Sequence, residues 1–206
     1  MTETTHPRPR DLSVTETAKL VRTALKRAFP GEQFSVRSKS YSGGASIRVN
    51  WTDGPTESEV RAIVAPYAGA EFDSSIDLKH SCESWLSPDG TATWGYALGT
   101  VGSMGSDPGY AFAPPTSDAE LVRFGADFVF TERDYSVSFL ERMSEEACAY
   151  YGFDDQPRVA QSRYDGHGYI DRSDPAASVR PFGNSSMDVH DLIYKRAQET
   201  RGEVAR

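Results

Sequence analysis

The 206-residue sequence holds only two cysteines, too few for a disulfide framework or a four-cysteine zinc site. It lacks an apolar run of the roughly 18 residues that a membrane-spanning helix needs. No basic start followed by an apolar stretch marks a secretory signal. These absences lead us to expect a cytoplasmic chain with reduced thiols and no membrane partner. Catalytic signatures are missing as well. There is no G-x-S-x-G, no G-x-x-x-x-G-K-[ST], no H-E-x-x-H and no H-x-E paired with P-C-x-x-C. No cofactor or metal is therefore expected. No internal repeat is visible, so solenoid architectures are set aside.

What is present is a segregated charge. The total of −8 divides into +5 over residues 1–50, −12 over residues 51–150 and −1 over the remainder. A basic front precedes an acidic middle. Either the two face each other, or they present opposite surfaces to different partners.

Hydrophobic periodicity predicts an α+β protein. Residues 1–11 carry two prolines and no apolar period, and read as a flexible tail. Ser13 and Glu16 form a capping box ahead of a stripe from Val14 to Phe29. Phe34, Val36, Ile47, Val49 and Trp51 then alternate with polar residues in a hairpin turning at Tyr41–Gly44. A second capping box, Thr56 with Glu59, opens a helix ended by Pro66 and Gly69, and Phe72–Leu78 reads as a short strand. Together these make a helix-hairpin-helix-strand unit, a two-layer sandwich. The period is lost over about 84–119, where glycines and prolines suggest a glycine-rich loop insertion with a short strand near Trp94–Leu98. Leu121–Glu132 reads as a buried strand kinked at Gly125, followed by a helix capped by Ser136 and ended by Gly152. Residues 12–152 are thus expected as one composite domain. Residues 153–206 form an extension, with a hairpin around Asp165–Gly168 and a terminal helix from Ser185 to about Thr200.

Two blocks of sequence resemble a known family. One is the run from Phe34 to Pro55 (FSVRSKSYSGGASIRVNWTDGP), continued by Val60–Tyr67 and Phe72-Asp73. The other is Phe124–Phe130 (FGADFVF), with Arg133 and Ser136 after it. Over about residues 12–80 and 120–152 the chain resembles the large polyvalent protein-associated domain, type twenty-nine. The resemblance implies a protein of a bacteriophage, plasmid or conjugative element. Many such domains sit in very large proteins thought to enter a host with the DNA and to blunt its defences. It implies no reaction.

Three groups of residues are candidate sites. Arg37, Lys39, Tyr41, Gly43, Gly44 and Arg48 could bind nucleic acid, with cations for phosphate, a glycine turn for close approach and Tyr41 for stacking. A solvated strand face explains the same residues. Asp53, Asp73 and Asp77, near His80, Cys82 and Glu83, gather ligand chemistry but match no established metal spacing. Asp165, His167 and Asp171 could place a general base on a loop, or simply build a polar turn. The expected function is a non-enzymatic binding or accessory protein of a mobile element, acting on a host or element macromolecule. An enzyme joining the acidic cluster to the Asp165–Asp171 loop is one alternative, and a nucleic-acid binder through the hairpin is the other.

Overall fold

The computed structural model describes residues 8–100, 108–181 and 186–202. Helix and strand each take about 30% of the chain in mixed sheets, which places it in the α+β class. The chain divides into two compact units, one of Met1–Val49 and Val60–Thr131, the other of Asn50–Glu59 and Glu132–Arg206.

In the first unit, α1 (Val14–Ala28) begins at the expected capping box. Ser13 Oγ accepts from Glu16 N at 3.2 Å, and the Glu16 carboxylate accepts from Ser13 N at 2.9 Å. Its buried stripe is Thr17, Ala18, Val21, Ala24 and Leu25, and it packs against β2 (Ser35–Tyr41). Ser13→Ala is expected to lower stability by about 1 kcal/mol, as a shift of the urea midpoint without a change in slope. Arg10–Asp11, expected within the tail, is a short strand, β1, parallel to β8 (Glu120–Arg123). The rest of the tail, residues 1–7, lies outside the described residues.

The hairpin forms where alternation places it, between β2 and β3 (Gly44–Thr52). A turn at Ser42–Gly43 joins them, and Gly43 takes φ +89°, a left-handed conformation that favours glycine. Val36, Ala45, Ile47, Val49 and Trp51 are buried. The third strand of this sheet is β9 (Phe128–Asp134), giving the order β2-β3-β9. It runs parallel to β3, since Asp127 N donates to Ala45 O and, further along, Asp53 N donates to Asp134 O. The second capping box also forms: Thr56 N donates to Glu59 Oε2 at 2.8 Å at the start of α2 (Glu57–Val64). Pro66 then sits in a 3-10 turn, Ala65–Tyr67.

Residues 70–123 depart from the sequence reading. The strand expected at Phe72–Leu78 is instead two antiparallel strands, β4 (Ala70–Asp73) and β5 (Leu78–Leu86), meeting at a turn where Asp77 has φ 54°. Residues 84–119, expected as a loop with a short strand near Trp94–Leu98, carry the end of β5, all of β6 (Ala92–Ala97), which lies close to that expected strand, and β7 (Tyr110–Ala111). These strands join a six-stranded sheet of order β1-β8-β5-β6-β7, with β4 also paired to β5. A register shift between Glu83 and Ser84 explains the lost signal. Cys82, Glu83 and Ser84 are all buried, so alternation fails just where it would have been read. Gly102 and Gly105 lie outside the described residues. The strand expected across Gly125 is two strands, β8 and β9, in different sheets.

In the second unit, Ser136 caps α3 (Val137–Tyr151), which ends at Gly152 with φ 73°. The predicted hairpin is β10 (Val159–Gln161) with β11 (Gly168–Ile170). The terminal helix, α4 (Val189–Glu199), starts at an Asp188 cap. Phe139, Leu140, Met143, Ala147, Cys148, Ile170, Val189 and Ile193 form the core. No helix among the described residues is long and apolar enough to cross a membrane.

Candidate functional site

The β2-β3-β9 sheet buries one side and exposes the other. Arg37, Lys39 and Tyr41 on β2 and Arg48 on β3 all lie on the exposed side, as alternation requires. Tyr41 is 45% exposed. Strand β9 adds two residues that the sequence reading assigned to the core. Phe130 is 49% exposed, and its ring centroid lies 6.0 Å from that of half-buried Phe128. The outward direction of Phe130 follows from its neighbours. Asn50 Nδ2 donates to Glu132 Oε2 at 2.8 Å, so those two side chains share a face. Arg48 and Phe130 stand one pleat back on the same strands. The face therefore presents Arg37, Lys39 and Arg48 with Tyr41, Phe128 and Phe130.

The glycine turn beside this face is closed on one side. A Cβ on Gly44 would lie 1.9 Å from Asp127 Oδ2, whereas Gly43 has open space. Asp127 also accepts from Tyr41 Oη at 3.4 Å and pairs with Lys79 Nζ at 3.1 Å. Glycine at position 44 thus makes room for a carboxylate.

The second candidate group is divided. Asp53 lies in the second unit, where its backbone takes φ 54° and its Oδ1 accepts from Ser136 N at 2.9 Å. Asp73 and Asp77 lie in the first. Asp73 accepts from Ser75 Oγ at 2.6 Å and Thr100 Oγ1 at 2.9 Å, and these bonds hold its carboxyl below the usual range. Near it, His80 Nε2 contacts Glu71 Oε2 at 3.2 Å, and Tyr110 Oη donates to Glu71 Oε1 at 3.1 Å. The His80 side chain is 9% exposed, and its Nδ1 has no hydrogen-bond partner among the described residues. Glu71 and Tyr110 were not singled out in the sequence. Their positions relative to His80 depend on the β4-β5 and β6-β7 pairings, which no local pattern reveals.

Burial, with a further contribution from Glu71, pushes the Cys82 thiol up to about 12. It is a neutral thiol at physiological pH, a poor nucleophile and a poor metal ligand. Both cysteines are free and buried. A thiol-specific disulfide reagent at pH 8 is expected to leave the native protein essentially unlabelled and to label two sites in denaturant. Rapid labelling of Cys82 in the native state would contradict this environment.

The third group gathers in part. His167 Nδ1 lies 3.3 Å from Asp134 Oδ1 and 3.8 Å from Asp165 Oδ1. Burial raises the Asp134 carboxyl, although His167 partly opposes the shift. Asp171 instead binds Ser173 and the Arg158 guanidinium, and these hold its carboxyl down at about 2. Asp188, His190 and Asp191 form another cluster, with their ligand atoms within 4.8 Å of one another. The Arg172 guanidinium occupies it, at 2.9 Å from His190 Nδ1 and 3.2 Å from Asp191 Oδ1. Arginine supplies the positive charge that a metal would bring.

The segregated charges meet in the first unit. Arg10 pairs with Glu120 at 2.7 Å and Arg27 with Asp89 at 2.9 Å, each joining the basic front to the acidic middle. Both pairs are exposed and contribute little stability. Among the described residues, neither Arg37 nor Lys39 is drawn into such a pair.

No curated protein and no solved structure matches this chain. A family profile does, over residues 12–136, running through the stretch at 84–119 and ending at the Ser136 cap of α3. The chain thus belongs to the large polyvalent protein associated domain 29 family, which implies an association with polyvalent proteins of phages or mobile elements.

Proposed function

We propose that this chain is a non-enzymatic accessory protein of a phage or mobile element, working in the host cytoplasm by binding a macromolecule and so countering host defence. The observation that carries this reading is the exposed β2-β3-β9 face, where cations and aromatic rings lie side by side within the family-matched residues. The test is capture from host-cell lysate, with and without nuclease, comparing the natural chain with an Arg37→Glu, Arg48→Glu variant. Retention of one defined macromolecule by the natural chain and its loss in the variant supports the proposal. Equal, non-specific retention by both removes it.

A second reading is an enzyme at His167, flanked by Asp134 and Asp165, a narrower site than one joining Asp53, Asp73 and Asp77 to the Asp165–Asp171 loop; burial raises the Asp134 carboxyl. It requires a reaction that His167→Gln abolishes while the fold is unchanged. Activity that survives this substitution eliminates that site.

A further inference from the structure

We infer that the outer face of the β2-β3-β9 sheet binds single-stranded nucleic acid; the inference rests on the binding-module reading above and names its ligand. The first consideration is charge. Arg37, Lys39 and Arg48 lie on one exposed face, in the part of the sequence with a net charge of +5, while residues 51–150 carry −12. A polyanion is repelled by the acidic segment and admitted at the basic one. Of the nearby carboxylates, Asp127 is paired with Lys79 at 3.1 Å, while Glu132 accepts from the neutral Asn50 amide and keeps its charge.

The second consideration is the rings. Tyr41 and Phe130 are about half exposed at opposite edge strands of the same sheet, and Phe128 stands next to Phe130. An exposed ring flanked by cations suits a planar base with its phosphates on either side. An acidic peptide would use the cations but leave the π-faces of the rings unmatched.

The third consideration is shape. Duplex DNA is read by an element that enters a groove, and A-form RNA presents a shallow minor groove. A three-stranded sheet is wider than the two-stranded ribbon that the major groove admits. With Tyr41 and Phe130 exposed on it, the face offers stacking surface to unpaired bases. The sequence alone suggested the hairpin cations and Tyr41; the two phenylalanines of β9 turn that suggestion into a platform.

The experiment is fluorescence anisotropy on the full chain with labelled oligothymidine, oligouridine and a duplex of matched length, at several salt concentrations. Both single strands are expected to bind about tenfold or more tightly than the duplex. With three phosphate contacts, log affinity should fall with log salt at a slope of about −2. Arg37→Gln, Lys39→Gln and Arg48→Gln together should flatten that slope. Phe130→Ala should weaken binding about tenfold, and Phe130→Tyr, which keeps the ring, should restore it. Equal binding of the duplex, or single-strand binding unmoved by these variants, overturns the inference. If no oligonucleotide binds but a protein is captured through the same face, the ligand assignment fails and the binding-module reading stands. If nothing is captured either, both fail.

Discussion

Arg133→Met is expected to be the most damaging single change in the second unit, with a loss on the order of 3–5 kcal/mol. The guanidinium is buried and donates to four carbonyls. Nε reaches Asp53 O at 2.8 Å, Nη1 reaches Ala197 O at 2.8 Å, and Nη2 reaches Gly54 O at 3.2 Å and Thr200 O at 2.9 Å. Two of these acceptors, Ala197 and Thr200, lie at the C-terminal end of α4, where carbonyls lack intrahelical partners and the helix dipole favours a cation. The other two lie in the turn after β3, where Asp53 and Gly54 both have φ near 55°. The cation also lies 5.1 Å from the ring centroids of Tyr135 and Phe139, which stack on each other. Methionine fills much of the volume but satisfies none of the acceptors. A loss of this size is a large fraction of the roughly 5–15 kcal/mol that holds a domain folded. Arg133→Lys should recover only part of it, because one ammonium cannot span acceptors on both segments. Urea unfolding of these variants, beside exposed Arg163→Met as a control expected to fall within about 0.5 kcal/mol, measures the difference. A loss no greater than that of the control would show that this buried guanidinium does not hold the segments together.

The role of Arg133 also shows where sequence reading stops. Its acceptors are 64 to 80 residues away along the chain, and they are backbone atoms, so no side-chain pattern announces them. Features that need only a few residues were legible. Both capping boxes, the stripe of α1, the Ser136 cap, the Gly152 stop and the β10-β11 hairpin stand where spacing put them. The central strand β5 was not legible, because its bulge buries consecutive residues and its core-facing groups include a thiol, a hydroxyl and a carboxylate. The candidate face was half legible. Arg37, Lys39 and Arg48 follow from alternation in the hairpin. Phe128 and Phe130, in a Phe-Val-Phe run, looked like core until the sheet had an outside. The acidic residues were grouped by proximity in sequence, whereas Asp53 and Asp73 belong to different units and Asp171 binds Arg158.

Gly125→Ala is expected to have the second large effect, by a mechanism unrelated to any lost bond. A Cβ built on Gly125 would lie 2.3 Å from Leu12 O, 2.6 Å from Ser13 C and 2.6 Å from Val14 N. All three are backbone atoms at the entry to α1, so no rotamer change can relieve the overlap. Gly125 N also donates to Thr17 Oγ1 at 3.2 Å, and Leu12 N donates to Arg123 O at 2.9 Å. The start of α1 and the segment between β8 and β9 are therefore bonded on both sides of the contact. To admit a methyl group, the two backbones must separate, which breaks those bonds and lifts Leu12, Val122 and Phe124, all buried, from their packing. Overpacking alone costs about 1–3 kcal/mol, and the accompanying separation of backbone pairs takes the expected loss to about 3 kcal/mol or more. Gly152→Ala makes a useful comparison. A Cβ there meets nothing within 4 Å, and only its positive φ, 73°, is unfavourable, so its loss should be near 1 kcal/mol. The order of the two midpoints decides the matter. If Gly125→Ala costs no more than Gly152→Ala, the close approach at Leu12 is not what holds position 125 to glycine.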